Sequence, residues 1–381
     1  MTTTDRALMP DYLRIFALFG IVVVNVLSIA FSFEASGVGP IGEVWIDQFA
    51  GWLVLAFATM KSFSLFSFMF GVGLGFLMRA AGRRGQAFGR LYRNRMIGLL
   101  LLGLAHGCLF YPGDILVTYA IFGTILYFCR NWSVKSLVRA AVIIIVLHML
   151  VGAPLTTVGY LFATPEELYD AATVAVEQDV NVNGTFVDVF ALRTDTYSEI
   201  LIYIVLVQGT QVLGWFWLGL AAVKAGVIDN AAHPVWRKAR MYFLVPGVGL
   251  SALAAYMWQW GDLAFGAGLS YAAAPISTIG YLGVIAAIAR PAGPLMSKVL
   301  VAGRNSLTVY LGQSIVLSTV FAGYGLGLWG QVGEFAAVLI AIGVTIILMW
   351  GVVLWCRVFR LGPFEWVLRR FTYLGQAKTN P

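Results

Sequence analysis

Residues 335–356 read FAAVLIAIGVTIILMWGVVLWC, an uncharged segment bounded by Glu334 on one side and by Arg357 on the other. With a rise of about 1.5 Å per residue, a helix of this length crosses the roughly 30 Å hydrocarbon core of a bilayer. Lys and Arg concentrate on the cytoplasmic side of membrane proteins. The segment therefore predicts a membrane-spanning helix whose C-terminal end lies in the cytoplasm.

The same pattern recurs along the whole chain. The composition is 60% hydrophobic and 11% charged, with a mean hydropathy of +0.84, whereas soluble domains carry about 25% charged residues. We therefore expect an all-α, polytopic membrane protein. Its ten predicted spans cover about 12–32, 50–78, 96–112, 115–129, 136–160, 200–223, 241–258, 271–289, 306–321 and 335–356.

Charge alternates between the loops that connect these spans. The basic loops are 79–95, 130–139, 224–240, 290–304 and 357–378, and the loops poor in Lys and Arg are 33–49, 162–199, 259–270 and 322–334. This arrangement places 23 of the 25 Lys and Arg residues on one side and 14 of the 18 acids on the other. It predicts cytoplasmic N- and C-termini, and it explains the net charge of +7 without nucleic acid as a partner.

The chain reads as a single membrane-embedded domain, 1–381, with the lipid bilayer as its partner. Its longest loop, 162–199, is acidic and predicted to lie outside, with a short interfacial helix that starts after Thr164 as N-cap. The second span is too long for one crossing, so we expect a bent segment before Lys61 and a crossing from about Met60 to Met78. This places Lys61 at the outer interface. The three cysteines have no C-x-x-C spacing, so no metal site is predicted.

Polar side chains inside apolar spans are costly and are candidates for function. Arg14 and Asn25 are eleven residues apart, very nearly three helical turns, so both project from one face of the first span. A pair between Asp11 and Arg14, with Asn25 bonded to a neighbouring helix, is the structural alternative.

His106 lies deep in the third span, and Asp114 follows Pro112-Gly113, at the predicted outer mouth. A histidine whose tautomer is held by a carboxylate can act as a general base. The alternative is a hydrogen-bonded core histidine, with Asp114 at the start of the next helix.

Buried amides form the last group of candidates. Gln208 and Gln211 lie in the sixth span, and Tyr310 and Gln313 in the ninth. They predict a shared polar centre or a water-filled cavity, and interhelical hydrogen bonds are the alternative. In the second span, Ser64, Ser67, Gly71 and Gly75 predict a helix-packing face.

Several segments resemble the YeiB-like family of bacterial membrane proteins of unknown function. They are Asp11-Tyr12-Leu13-Arg14, Val24-Asn25, residues 66–73, His106, Gly113-Asp114-Ile115-Leu116, Tyr119-Ala120, residues 303–307, residues 310–314, residues 323–328 and residues 362–366. Together they cover about half of the chain, with the C-terminal portion at about 200–375. The resemblance implies that the protein is located in the bacterial cytoplasmic (inner) membrane.

That family is more distantly similar to integral-membrane acyltransferases, which carry a basic residue and, eleven residues on, a catalytic histidine. At the two corresponding positions this chain has Arg14 and Asn25, so the catalytic histidine of those enzymes is absent there. Acyl transfer would therefore need His106, from another helix, as the base. The resemblance implies no bound cofactor, acyl-CoA as co-substrate, and a small-molecule, glycan or lipid acceptor.

Three functions remain open. In an acyltransferase, His106 is the base, Asp114 orients it, Asn25 and Gln313 hold the acyl carbonyl, and Arg14 meets CoA phosphates. In a transporter or flippase for a small or amphiphilic substrate, the same groups line a pathway, with His106 and Asp114 as a proton relay. In a structural membrane protein, the polar groups only hold helices together.

Overall fold

The computed structural model describes residues 8–33, 42–291 and 293–375, and all regular structure within these ranges is helical. The α-helices are α1 (Met9–Ala30), α2 (Trp45–Phe57), α3 (Lys61–Arg83), α4 (Phe88–Leu109), α5 (Leu116–Phe128), α6 (Val134–Leu147), α7 (Ala153–Phe162), α8 (Pro165–Leu168), α9 (Ala171–Asn183), α10 (Phe186–Tyr203), α11 (Gly209–Lys224), α12 (Pro234–Trp260), α13 (Leu263–Ile288), α14 (Pro294–Arg304), α15 (Ser306–Phe321), α16 (Glu334–Trp355) and α17 (Pro363–Thr372). Two π-helical segments join longer helices: π1 (His148–Gly152) lies between α6 and α7, and π2 (Ile204–Gln208) between α10 and α11. The predicted all-α class is confirmed.

Seven helical segments of the described chain are long and apolar enough to cross a membrane. They are Met9–Ala30, Trp45–Arg83, Val134–Phe162, Phe186–Lys224, Pro234–Trp260, Leu263–Ile288 and Glu334–Trp355. The apolar helices α5 and α15 are shorter, with 13 and 16 residues. The chain thus has the architecture of a multi-pass membrane protein, as its composition indicates.

The predicted break in the second span is present. α2 ends at Phe57 and α3 begins at Lys61, and Met60 between them has a left-handed backbone with φ of 64°. Lys61 is 1% exposed, and its Nζ donates to the Leu55 carbonyl at 3.0 Å. The lysine is therefore enclosed by protein rather than by lipid, and the Leu55 carbonyl supplies a hydrogen-bond partner for its amine.

The predicted outer loop 162–199 is mostly helical, because the predicted short helix, α8, is followed there by α9 and most of α10. Thr164 caps α8 as predicted, and accepts the backbone N–H of Glu167 at 3.2 Å. A capping box of Thr185 and Asp188 starts α10, which buries Val189, Arg193 and Tyr197 at helical spacing. The acidic side chains of α10, Asp188, Asp195 and Glu199, lie on its exposed faces. The high charge of this segment therefore concealed a helix with one buried face.

Several other helices begin inside the predicted loops. α4, α12 and α13 start at Phe88, Pro234 and Leu263, several residues before the predicted spans, and α14 and α17 occupy two of the basic segments. Residues 34–41 of the predicted loop 33–49 and residues 376–378 of segment 357–378 lie outside the described residues.

α3 and α11 pack with their backbones in close approach. A Cβ on Gly71 would lie 2.0 Å from the Phe216 carbonyl oxygen, and one on Gly219 would lie 2.0 Å from that of Phe68. A Cβ on Gly75 would likewise meet the Val223 side chain at 2.7 Å. The predicted small-residue packing face is therefore confirmed at Gly71 and Gly75.

Candidate functional site

A buried histidine–aspartate pair lies where α4 ends and α5 begins. His106 Nδ1 donates to Asp114 Oδ2 at 2.7 Å, and the two side chains are 3% and 0% exposed. With Nδ1 as donor, Nε2 of the neutral ring carries the free lone pair, which is the atom that a general base requires. Nε2 has no hydrogen-bond partner among the described residues.

Tyr310 of α15 is the third member of this group. Its hydroxyl donates to Asp114 Oδ2 at 3.2 Å, and its ring centroid lies 5.3 Å from that of His106. The remaining oxygen, Asp114 Oδ1, accepts the backbone N–H of Leu116 at 2.7 Å. One carboxylate therefore holds a tyrosine, an imidazole and the first residue of α5 in fixed positions.

The predicted place of Asp114 at the outer mouth was wrong. α5 has 13 residues, a length of about 20 Å, so it is too short to carry Asp114 across a bilayer from Arg130 at its other end. The chain turns back at Tyr111-Pro112-Gly113 while it is still inside the helical bundle, and Asp114 is fully buried there.

A cavity of about 390 Å³ extends toward this group from the end of the bundle where Arg side chains concentrate; we call it the basic cavity. The arginines that line it are Arg14, Arg95, Arg304 and Arg369. Its inner walls are apolar and aromatic, formed by residues that include Leu74, Leu99, Phe66, Phe70 and Tyr119, and it ends at Tyr310. The cavity thus combines a cationic entrance with an apolar interior.

The arginine entrance is held by contacts between distant parts of the chain. Asp11, 1% exposed, accepts from Arg14 at 2.9 Å and from Arg304 at 3.2 Å. The predicted Asp11–Arg14 pair is therefore confirmed. Both guanidinium groups are fixed beside the cavity by one carboxylate, which leaves the entrance with an excess of positive charge.

α17 closes one side of the basic cavity. Glu365 accepts the backbone N–H groups of Leu307 and Thr308 at 2.7 and 3.1 Å, and also the Thr308 hydroxyl. Burial raises the pKa of the Glu365 carboxyl, and the hydrogen bonds from Thr308 and Leu307 partly oppose this shift. Glu365 thereby joins α17 to the start of α15, the helix that carries Tyr310.

A second cavity, of about 310 Å³, lies on the opposite side of Tyr310; its wall is mainly apolar, and we call it the polar cavity after the six polar groups within that wall. Its polar lining groups are Asn25, Ser62, Tyr111, Tyr203, Gln208 and Tyr310. Ile21, Ile115 and Tyr310 line both cavities. Tyr310 therefore stands in the wall between two cavities that approach it from different sides.

The structure separates the predicted site residues into three groups. Arg14 lines the basic cavity, Asn25 and Gln208 line the polar cavity, and Tyr310 lines both. His106 and Asp114 lie directly behind Tyr310 and line neither cavity.

Two predicted amides lie outside the cavities. Gln211 is 1% exposed, and its side-chain atoms have no hydrogen-bond partner in the described part of the chain. Gln313 donates to Thr345 Oγ1 at 2.8 Å and to the Leu18 carbonyl at 3.4 Å, which joins α15 to α16 and α1. The predicted shared polar centre therefore does not include Gln211 or Gln313. Gln313 matches the alternative of an interhelical hydrogen bond.

Arg95 was not among the predicted site residues, because the dense run of arginines in 79–95, although able to bind an anion, is explained more simply by topology. A signal was nevertheless present: Arg95 and His106 are eleven residues apart, the spacing noted for Arg14 and Asn25. On α4 this spacing places Arg95 on the face of His106 and about 16 Å along the helix from it. Arg304, Glu365 and Arg369 joined the site only through tertiary packing.

The similarity of this sequence to known proteins extends over nearly the whole chain. Residues 222–375 match the family described as a protein of unknown function (DUF418). The uncharacterized protein YxaH of Bacillus subtilis is 30% identical, over 98% of this chain and 96% of the relative. The uncharacterized protein YeiB of Escherichia coli is 28% identical, over 97% and 96%. An uncharacterized 39.9 kDa protein in the amylase 3′ region of Bacillus acidopullulyticus is 23% identical, over 95% and 92%. No solved structure matches the chain.

Proposed function

This chain belongs to the YeiB-like family of membrane proteins of unknown function, and we propose that it transfers an acyl group across the bilayer from acyl-CoA to a hydroxyl-bearing acceptor. One observation carries the proposal. Tyr310 lies between a cavity with an arginine entrance and a polar cavity, and it is hydrogen-bonded to the buried His106–Asp114 pair. A donor and an acceptor that enter from opposite sides would meet at this residue.

The proposal includes a topology. The basic end of the bundle is cytoplasmic by the positive-inside rule, so both termini lie in the cytoplasm of a bacterial cell. Ten segments lie in the cytoplasmic membrane when α4, α5 and α15 are counted with the seven longer spans, and α4 and α5 form a hairpin that turns inside the bundle at Tyr111-Pro112-Gly113. Asp114 lies two residues before the short helix α5, and Tyr310 lies within the short helix α15. Both side chains are surrounded by neighbouring helices rather than by lipid.

The basic cavity is the proposed site for acyl-CoA. Arg14, Arg95, Arg304 and Arg369 present guanidinium groups suited to phosphate oxygens. The flexible pantetheine arm of CoA separates these phosphates from the thioester. With the phosphates bound by these arginines, the thioester and the acyl chain would lie along the apolar wall of the cavity and point toward Tyr310.

The reaction joins the acceptor oxygen to the acyl carbonyl carbon and breaks the carbon–sulfur bond of the thioester. His106 Nε2 removes the proton of the attacking hydroxyl, and this proton passes to the departing CoA thiolate, so the histidine is regenerated. Asp114 holds the imidazole orientation and stabilises its charged form. The Tyr310 hydroxyl, at the meeting point of the cavities, turns its single proton from Asp114 Oδ2 to the developing oxyanion, while Asp114 Oδ2 keeps its hydrogen bond from His106.

Access to His106 requires a movement of aromatic rings. The centroids of Tyr111 and Tyr310 lie 6.5 and 5.3 Å from that of His106, and both tyrosines line the polar cavity. A rotation of either ring opens Nε2 to an acceptor in that cavity. Asn25 and Gln208, on the same walls, are placed to orient the acceptor rather than the acyl carbonyl.

The test is binding and turnover of radiolabelled acyl-CoA by the full chain in nanodiscs, with acetyl and longer chains. Arg95→Ala should weaken binding about tenfold, because it removes a charge-assisted contact to phosphate. The matched control is Arg83→Ala, an exposed arginine of the same basic end that does not line the cavity. His106→Gln should leave binding intact and abolish CoA release.

The outcomes separate the three hypotheses. Absence of saturable binding at every chain length overturns the acyltransferase proposal, as does CoA release that His106→Gln leaves unchanged. Passage of an amphiphile across the bilayer without acyl-CoA, lost in His106→Gln, favours a transporter or flippase that uses the same two cavities. If neither activity is found, the structural hypothesis remains.

A further inference from the structure

A third cavity, of about 850 Å³, opens on the flank of the bundle between α6–π1–α7, π2 and α13; we call it the lateral groove. Its lining includes His148, Gly159, Glu167, Tyr203 and Tyr271. Tyr203 also lines the polar cavity, and the proposed reaction assigns no role to any lining residue of the groove. The two π-helical segments found within the described ranges, π1 and π2, both contribute to it, and π-bulges within long helices occur frequently at functional sites.

The groove contains a histidine with an unused nitrogen. His148 is 9% exposed, and its Nε2 has no hydrogen-bond partner among the described residues. Its ring lies 5.4 Å from that of Tyr271, whose hydroxyl is 3.0 Å from the Tyr203 hydroxyl. A buried polar atom left unpaired is costly, so a ligand that supplies the missing hydrogen bond stabilises this arrangement.

The surroundings indicate what enters the groove. Leu147, Val151 and Leu155 are 52%, 58% and 68% exposed at its rim, on a span that faces lipid. The polar lining groups are hydroxyls, an imidazole and, at one end, the carboxylate of Glu167; no Lys or Arg is among the described residues that line it. The groove therefore fits an alkyl chain with an uncharged hydroxyl headgroup, whereas the arginines of the basic cavity fit an anion.

The groove lies next to the polar cavity, and π2 is the wall between them. Tyr203, Val207 and Thr210 face the groove, whereas Ile200, Ile204 and Gln208 face the polar cavity, which Tyr203 also lines. Glu167 and Leu168 of α8 border the groove, which places it at the acidic end of the bundle. A molecule in the groove is thus one helix away from the cavity that reaches Tyr310.

We propose that the lateral groove binds an uncharged, hydroxyl-bearing membrane amphiphile, which enters sideways from the leaflet at the acidic end of the bundle and donates its hydroxyl to His148. The role of this amphiphile as the acyl acceptor rests on the proposed function, but its binding does not. In that role it passes from the groove to the polar cavity past Tyr203.

The test is photolabelling of the full chain in nanodiscs with a monoacylglycerol that carries a diazirine in its acyl chain. Labelling should be saturable and should map to α6, α7 and π2. Gly159→Trp should reduce it at least tenfold, because a Cβ at Gly159 meets nothing within 4 Å and the indole occupies the groove. The matched control is Gly351→Trp on α16, where a Cβ also meets nothing within 4 Å and labelling should not change.

His148→Phe keeps a ring of similar size and should weaken labelling about fivefold through loss of one hydrogen bond. Equal labelling by the same chain without its hydroxyls, or by its phosphate monoester, overturns the proposal. So does labelling that Gly159→Trp leaves unchanged, which indicates surrounding lipid only. Because the measurement needs no acyl-CoA, its failure is distinguishable from failure of the proposed acyl transfer.

Discussion

At the scale of single residues, Asp114 combines two roles that the sequence left as alternatives. Its Oδ2 accepts from His106 and Tyr310, whereas its Oδ1 accepts the backbone N–H of Leu116 at the start of α5. The same carboxylate therefore orients a base and fixes a helix terminus. Sequence spacing predicted the partnership with His106, and only the fold brought Tyr310 of α15 to the same oxygen.

Replacement of Tyr310 by Phe tests this group directly. The change removes only the hydroxyl that donates to Asp114 and that is proposed to donate to the oxyanion. Turnover of acyl-CoA should fall about 10²-fold or more, with stability lowered by about 1 kcal/mol. The measurement is CoA release in nanodiscs, with thermal unfolding recorded in parallel.

Tyr281→Phe is the matched control, because Tyr281 is also a buried tyrosine with one hydrogen bond, to the Phe57 carbonyl at 3.2 Å, and it lines none of the cavities described above. It should lose similar stability and keep its turnover. Equal loss of turnover in both variants would assign the effect to folding rather than to the site.

At the scale of elements, the contact between α3 and α11 sets the position of the site. α3 supplies Phe66 and Phe70 to the basic cavity, and α11 continues from π2, which lines the polar cavity. Lipid tails are as apolar as the helices, so close packing of small residues replaces the hydrophobic effect as the force that holds such pairs. Gly71 and Gly219 permit this approach.

Gly71→Ala should lower stability, because its Cβ would lie 2.0 Å from a backbone oxygen that can move only with α11. The expected cost is about 1–3 kcal/mol, measured as a lower unfolding temperature in detergent. Gly73→Ala, two residues on, meets nothing within 4 Å and should be neutral or slightly stabilising, since Ala is the better helix former. Equal destabilisation by both changes would contradict the assigned packing.

At the scale of the whole molecule, the two ends of the bundle carry opposite charge, and both cavities follow this polarity. The basic cavity opens among the arginines, and no arginine is among the described residues that line the polar cavity. An anionic donor and an uncharged acceptor would therefore be sorted to opposite ends before they meet at Tyr310. The proposed reaction depends on the assignment of the basic end to the cytoplasm.

Single-cysteine accessibility tests that assignment. Ala172→Cys places an exposed thiol on α9 at the acidic end, and Arg83→Cys places one at the basic end. In intact cells, a membrane-impermeant thiol reagent should label the first variant, and the second only after permeabilisation. The native chain, whose cysteines are Cys108, Cys129 and Cys356, gives the background. The reverse pattern would invert the topology and the proposed direction of transfer.

The sequence by itself determined the features that depend on composition and on neighbours along the chain. Apolar runs, charge alternation, the break before Lys61, the Asp11–Arg14 pair and the nearness of His106 and Asp114 are of this kind. Each depends on residues within a few turns of one another. Residues 162–199 were predicted as a loop with one short helix, and α9 and most of α10 were missed, because charge content distinguishes a helix from a loop poorly when only one face of the helix is buried.

The tertiary structure decided which polar residues share a site. Gln313 and Tyr310 lie one turn apart on α15, yet Gln313 joins three helices while Tyr310 reaches Asp114. Arg95 and Arg304 are more than two hundred residues apart and line one cavity. Helical periodicity fixes the face on which a side chain lies, but the neighbour of that face depends on how all the helices pack, which is a property of the whole chain.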